Sequence, residues 1–225
     1  MRYVREAVAP CAIQRMNQLL SNCKSCPIHC GTRTLGTGDP NASLLIIMDY
    51  PTAQQASYNR PISIFEGNEK VEAFLRATFE KEQVDFSKLF FMNTVNCCPS
   101  RTVKTATGKE ELYRTPLPNE IRACETYVKY AVDVLHPPMI ILMGAVASNV
   151  YIKKQAISKI RGTWHSVHCI PAMLTYSPNE IQDYRQVSVE KARLMLQEFQ
   201  NDIHNALEQY RRMWPNSELF SRPKN

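Results

Sequence analysis

Eight cysteines are the residues best equipped for chemistry in this chain: Cys11, Cys23, Cys26, Cys30, Cys97, Cys98, Cys124 and Cys169. Cys23-Lys-Ser-Cys26 places two thiolates on one turn, a common half-site for zinc or for iron–sulfur. Cys97 ends an apolar run, and Cys124 falls in the first turns of the next helical segment. A zinc ribbon uses two compact pairs, whereas here the second pair is split by a long stretch of chain. A cluster that staples an N-terminal segment to a strand-end loop explains this spacing better than one zinc ion or a set of bare thiols. Cys30 and Cys98 are spares, and Cys98 points away from Cys97 on an extended chain. Cys169, inside VHCIPAML, reads as a core residue.

Those cysteines sit in a chain of 225 residues, a length that favours a single core over residues 1–215 and a loose tail over 216–225. Hydrophobic residues make up 44% and charged residues 21%, an ordinary soluble composition. No apolar run approaches the roughly 20 residues that cross a bilayer, so no membrane partner is expected. The opening MRYVREAVAPCAIQRM has no long apolar stretch and does not read as a signal peptide. An intracellular place, in cytoplasm or nucleoid, is expected, where thiols stay reduced. The net charge of +6 and pI of about 8.9 suit a polyanion partner.

The elements that must position the cysteines alternate in type. Residues 11–21 read as a helix, and 22–40 as a cysteine-rich turn region broken by Gly and Pro. SLLIIMD (43–49), KLFFMNTVN (88–96), MIILM (139–143) and VHCIPAMLT (167–175) read as strands. Helices are expected over 66–82, 118–135, 144–154 and 187–213, with loops over 51–66 and 98–117. Alternating strands and helices mean crossovers: an α/β fold, three-layer α/β/α, with a four-stranded mainly parallel sheet. Strands apolar on both faces fit such a covered sheet. Its site belongs at the carboxyl ends of the strands, near Asp49-Tyr50-Pro51, Asn93 to Cys98, Gly144 and Tyr176-Ser177-Pro178.

Read in order, these segments resemble the iron–sulfur uracil-DNA glycosylases, the family 4 and 5 branches of that superfamily. CKSCPIHCGTRTLGTGDPNASLLIIMDYP is similar to the family's opening turn, strand and first catalytic motif. FMNTVNCCPS, PLPNEIRACETYV, MIILMGAVAS, IRGTW and LTYSPNEI are similar to its later segments. The resemblance runs from about Cys23 to Ile181 and implies a uracil-DNA glycosylase-like fold. It also implies a four-iron, four-sulfur (4Fe-4S) cluster on Cys23, Cys26, Cys97 and Cys124, and hydrolysis of the N-glycosidic bond of deoxyuridine in DNA.

That reaction needs a flipped base held in a pocket, with groups that stabilise the leaving base and the sugar cation. Asp49 falls where the family has a catalytic glutamate. Ser177 stands where it usually has histidine, a weaker stabiliser of a developing anion. Tyr50, Phe65 and Asn93 are the expected base-binding residues: Phe65 to stack, Asn93 to offer a donor and an acceptor to a pyrimidine edge. Met48, Tyr50 and Thr52 replace small residues and should reshape the pocket, and Gln54 or Gln55 is the candidate polar group beyond it. Arg101, Arg161, Pro178 and Asn179 are expected to meet the DNA backbone, with Lys104, Lys109 and Arg114 nearby.

Three classes of function follow. The first is a base-excision glycosylase, divergent at its catalytic motifs. The second is an impaired relative that binds DNA or a replication or repair protein through the same fold. The third, a zinc-stabilised nucleotide hydrolase, lacks the glycine-rich loop that cradles phosphates.

Overall fold

The run Leu44–Met48 has no polar face, so it can form a strand only where both sides are covered. The structure, a computed structural model, describes residues 2–30, 33–61, 70–105, 108–152 and 155–220. In chain order, α1 (Arg2–Ser21) leads through a 3-10 turn (Pro27–Cys30) to β1 (Thr37–Gly38) and β2 (Leu44–Met48). Helices α2 (Ala53–Ser57) and α3 (Lys70–Lys81) precede β3 (Leu89–Asn93). A hairpin of β4 (Ser100–Thr105) and β5 (Gly108–Tyr113) comes next, then α4 (Pro118–Leu135) and β6 (Met139–Met143). Helices α5 (Ala145–Tyr151) and α6 (Ile157–Ile160) lead to β7 (Trp164–Val167) and β8 (Ile170–Thr175). Helices α7 (Pro178–Val187) and α8 (Val189–Met213) close the order.

Among the described residues the main sheet has six strands, ordered β1-β3-β2-β6-β8-β7. The four strands expected from sequence, β3, β2, β6 and β8, are the parallel centre, with Leu44 beside both Leu89 and Met139. The two additions are antiparallel edges, β1 on β3 and β7 on β8. Neither has an apolar run to announce it: β1 is two residues in the glycine-rich turn region, and β7 is largely exposed.

Every residue of β2, β3 and β6 is buried, so both faces are covered. The helices gather in two sets: α1 packs on α4, while α3, α7 and α8 pack on one another. Phe199 of α8 meets Phe74 of α3 at a ring separation of 5.1 Å. Each large apolar side chain fully buried this way stabilises the fold by roughly 1.5–3 kcal/mol. No helix among the described residues is long and apolar enough to cross a membrane.

Three other expectations change. Residues 98–117 are largely the β4–β5 hairpin rather than a loop, turned near Gly108 at φ +141°. The helix expected over 187–213 is the single helix α8 only from Val189, because Ser188 caps it and ends α7. The segment after Trp214 is not loose as far as Phe220. Leu219 is fully buried, the Asp85 amide donates to its carbonyl at 2.8 Å, and the Phe220 ring packs on Tyr210 and Arg211.

Leu219→Ala should therefore cost about 2–5 kcal/mol, the range for truncating a buried leucine. Urea unfolding measures it, and no shift in midpoint would mean that the tail contributes nothing to the core.

Candidate active site and cysteine cluster

Parallel strands bring their carboxyl ends to one edge, and a crevice of about 620 Å³ opens there. Asp49, Tyr50 and Thr52 line it after β2. Ser177, Asn179, Glu180 and Asp183 of the β8–α7 junction form the facing wall. The foot of the hairpin, Tyr113 to Thr115, and the first turn of α5 complete it. A larger groove of about 860 Å³ lies elsewhere, along the seam of α1 and β1. Asn17 there is tied to the Gly36 backbone in both directions, at 2.8 and 3.0 Å.

Asp49 closes β2 by capping the helix that follows β6. Its Oδ1 accepts the Ala147 amide at 2.8 Å. A side chain at Gly144 would put its Cβ 2.2 Å from Asp49 Oδ2, and Gly144 sits at φ +111°, so only glycine fits. Burial pushes the Asp49 carboxyl up to about 7, against the amides of Ala145, Val146 and Ala147 that favour its charge. Beside it, the Tyr50 hydroxyl is pushed up by burial and by the charges of Asp49, Asp183 and Glu180, while a hydrogen bond with Thr115 opposes the shift.

Ser177 is 4% exposed and makes no side-chain capping bond, although it stands at the N-cap of α7. Three and six positions on, Glu180 and Asp183 share its helical face and reach the same crevice. Burial raises both carboxyls. The sequence reading missed them, although the spacing 177, 180, 183 was available as a signal once residue 178 was taken as a helix start. Asn179 exchanges hydrogen bonds with buried Gln55, at 3.3 and 3.5 Å, and Gln55 itself closes a capping box with Thr52.

Several expected site residues stand elsewhere. Asn93 is fully buried and donates to Thr34 Oγ1 at 2.8 Å, while its Oδ1, also buried, has no hydrogen-bond partner among the described residues; the residue is not among the crevice lining. Arg161 is no free phosphate donor: its Nε bonds Asp202 Oδ2 at 2.8 Å, and its other nitrogens meet Asp202 and Glu198. Asp202 is buried and would be an uncompensated charge without it. Pro178 is buried at the first position of α7, where its fixed φ suits a helix start, so its ring does not face a polyanion. Arg114 makes a two-pronged ion pair with buried Glu120, at 2.6 and 2.8 Å. Arg101 and Lys104 are exposed on β4. Phe65 lies outside the described residues.

The four expected cysteines feel one another's charge. Cys97 and Cys124 are buried, Cys23 and Cys26 half-buried. Burial and then the Cys124 charge push the Cys97 thiol up to about 12, with Cys26 and Cys23 adding to the shift. Cys124 is pushed up to about 11 by burial, and it too feels Cys26 and Cys23. Burial also tends to raise Cys23, but hydrogen bonds with Ser25 and Tyr127 outweigh it and leave that thiol lowered. Arg33 holds the group together: it bridges to Cys97 in the backbone, and its guanidinium donates to the carbonyls of Leu20 and Cys23, each at 2.9 Å.

Among the described residues, however, no three Cys, His, Asp or Glu side chains converge as ligands of a single metal ion. One zinc ion would draw all four sulfurs to about 2.3 Å from a single point. A four-iron cluster takes each thiolate on a separate iron, so its ligands stand further apart. Four thiols are the donor chemistry that either zinc or an iron–sulfur cluster takes.

The model of the uracil DNA glycosylase superfamily matches residues 35–204. The chain belongs to that superfamily. Relatives named type-4 uracil-DNA glycosylase share modest identity with it. The Thermotoga maritima protein is 24% identical over 164 residues, 71% of this chain and 75% of the relative. The Pyrobaculum aerophilum protein is 26% identical over 138 residues, 60% and 62% of the two chains. The Sulfurisphaera tokodaii protein is 22% identical over 192 residues, 75% and 78%. The superfamily match spans every strand of the main sheet and both walls of the crevice, whereas Cys23 and Cys26 precede it.

Asp49 gives a pH test of this geometry. Its carboxyl holds a proton up to about 7 in the folded chain but only to about 3.8 when unfolded. The folded state binds more protons in that window, so Asp49 makes stability fall as pH rises from about 4 to about 7. Asp49→Asn keeps an oxygen for the Ala147 amide and cannot ionise. Urea unfolding should show the natural protein losing stability relative to the Asn variant across that window. Parallel curves would contradict a buried Asp49 carboxyl.

Proposed function

We propose that the protein hydrolyses the N-glycosidic bond of uracil or a related damaged base in DNA. The reading rests on one observation above all: the crevice at the strand ends gathers Asp49, Tyr50 and Ser177 in a chain of the uracil DNA glycosylase superfamily. A base turned out of the stack would enter beside Tyr50, whose ring offers a stacking face. The Ser177 hydroxyl is free to donate to a base carbonyl. Asp49 lies where an ionised carboxylate would favour a cationic sugar or orient water. Phe65 is carried as a further stacking residue on the resemblance alone. Backbone docking is assigned to Arg101 and Lys104 of the hairpin and to the Asn179 turn, with the net charge of +6 in support.

Cys23, Cys26, Cys97 and Cys124 are the residues that would hold a 4Fe-4S cluster. When bound, it cross-links the N-terminal turn, the end of β3 and the start of α4. A second reading, a DNA- or repair-partner-binding relative without catalysis, is favoured by Ser177 in the position where the resemblance implies histidine.

Two experiments test these assignments. Protein purified without oxygen should release base from single-stranded uracil DNA, scored as alkali-labile breaks, and Ser177→His should raise the rate. No release by either protein, on uracil, hypoxanthine or hydroxymethyluracil DNA, would rule out excision of these neutral bases and move the weight to the binding role. For the cluster, metal and sulfide analysis should find iron and sulfide in equal amounts. Cys124→Ala should lose both, together with the brown colour. Stoichiometric zinc in a colourless protein would replace the cluster with a single ion.

A further inference from the structure

We propose that the crevice selects a cationic base, the class of N-alkylated purines, over neutral uracil. The inference rests on the base-excision reading above and names the substrate class of the same site.

Its first support is the charge of the walls. Asp49, Glu180 and Asp183 line the crevice, and Arg114 is the one cation among its described lining residues. Arg114 is already committed to Glu120 through both prongs. Lys191, seated 3.9 Å over the Tyr184 ring, is felt by Glu180 from α8 but does not line the crevice. A uracil that departs as an anion would build negative charge beside three carboxyl groups, with no described cation free to meet it. A cationic base meets the opposite situation.

The second support is Ser177. It is 4% exposed, lines the crevice and has no side-chain partner among the described residues, so its hydroxyl is open to a polar group of a ligand. The third is aromatic. Tyr50 and Tyr113 both line the crevice, and Tyr113 stands 59% exposed at its mouth. A cation over such a ring gains about 0.5–2 kcal/mol. Burial raises the carboxyls of both Glu180 and Asp183, and a cation brought against them would favour their charged forms. A compact metal ion does not suit the same carboxyls, because no three converge on a point among the described residues. A flat, extended cation does.

The chemistry balances without an electrophile. The bond from C1′ to the purine nitrogen breaks, and its electron pair goes to the ring, which leaves as a neutral base. A water oxygen bonds to C1′, and its proton passes to a carboxylate and then to solvent. No negative charge forms on the base, so serine suffices where an anionic leaving group needs histidine.

The test uses duplex oligonucleotides carrying one 7-methylguanine or one uracil. The natural protein should release 7-methylguanine with kcat/KM at least about tenfold above uracil, the scale of one well-placed charge pair. The double variant Glu180→Gln, Asp183→Asn should lower that preference about tenfold. Because alkylated purines are labile, a binding arm compares 7-methylguanine DNA with its uncharged 7-deaza counterpart, and the cationic form should bind about tenfold tighter. Equal binding of the two, or a preference untouched by the variant, would overturn the proposal. Release of uracil alone would overturn it and leave base excision standing. Release of neither base would remove both.

Discussion

Asp49 ends β2, and its carboxylate accepts the amide of Ala147 at the start of the helix that follows β6. This bond joins the central strand to its neighbour's crossover at the edge where the crevice opens. It requires a glycine at 144, since any side chain there would overlap the carboxylate. It also removes that carboxyl from bulk water and shifts its proton affinity to about 7. One contact thus joins the crevice lining to the entry of α5 and sits at the carboxyl whose ionisation burial shifts. A residue that caps a helix and lines a pocket is constrained twice.

The cysteine group and the crevice are not separate. Glu120, in the first turn of α4, holds Arg114 at the foot of the hairpin and adds its charge to the field at Cys26 and Cys124. Cys124 follows one turn later on the same helix. A cluster that fixes the start of α4 would thereby fix Glu120, Arg114 and the wall formed by Tyr113 to Thr115. This gives a structural meaning to a metal centre that need not touch the substrate.

The departures at the crevice point one way. Ser177 offers a neutral hydroxyl, the one arginine among the described lining residues is committed to Glu120, and α7 supplies two carboxyls. A site so altered is poorly matched to a leaving anion and better matched to positive charge. The overall charge of +6 does not contradict this, because long-range attraction to DNA and local preference in a pocket act over different distances.

Sequence alone determined the parallel centre of the sheet. The four apolar runs around Leu45, Phe90, Ile141 and Leu174 admit no other strand set, because residues apolar on both faces must be covered on both. It also marked Asp49, Tyr50, Ser177 and the four cysteines, since strand ends and paired thiols are local signals. The two edge strands and the hairpin were not legible, because their residues carry no continuous apolar run. Only the tertiary structure decided which polar groups are free. Arg161 and Arg114 look like phosphate donors until Asp202 and Glu120, 41 and 6 positions away, are seen to hold them. Asn93 offers a donor and an acceptor in the sequence, but Thr34, 59 positions away, takes the donor and leaves the buried Oδ1 without a partner. A side chain's partner is chosen by packing between distant segments, and local spacing carries no record of that choice.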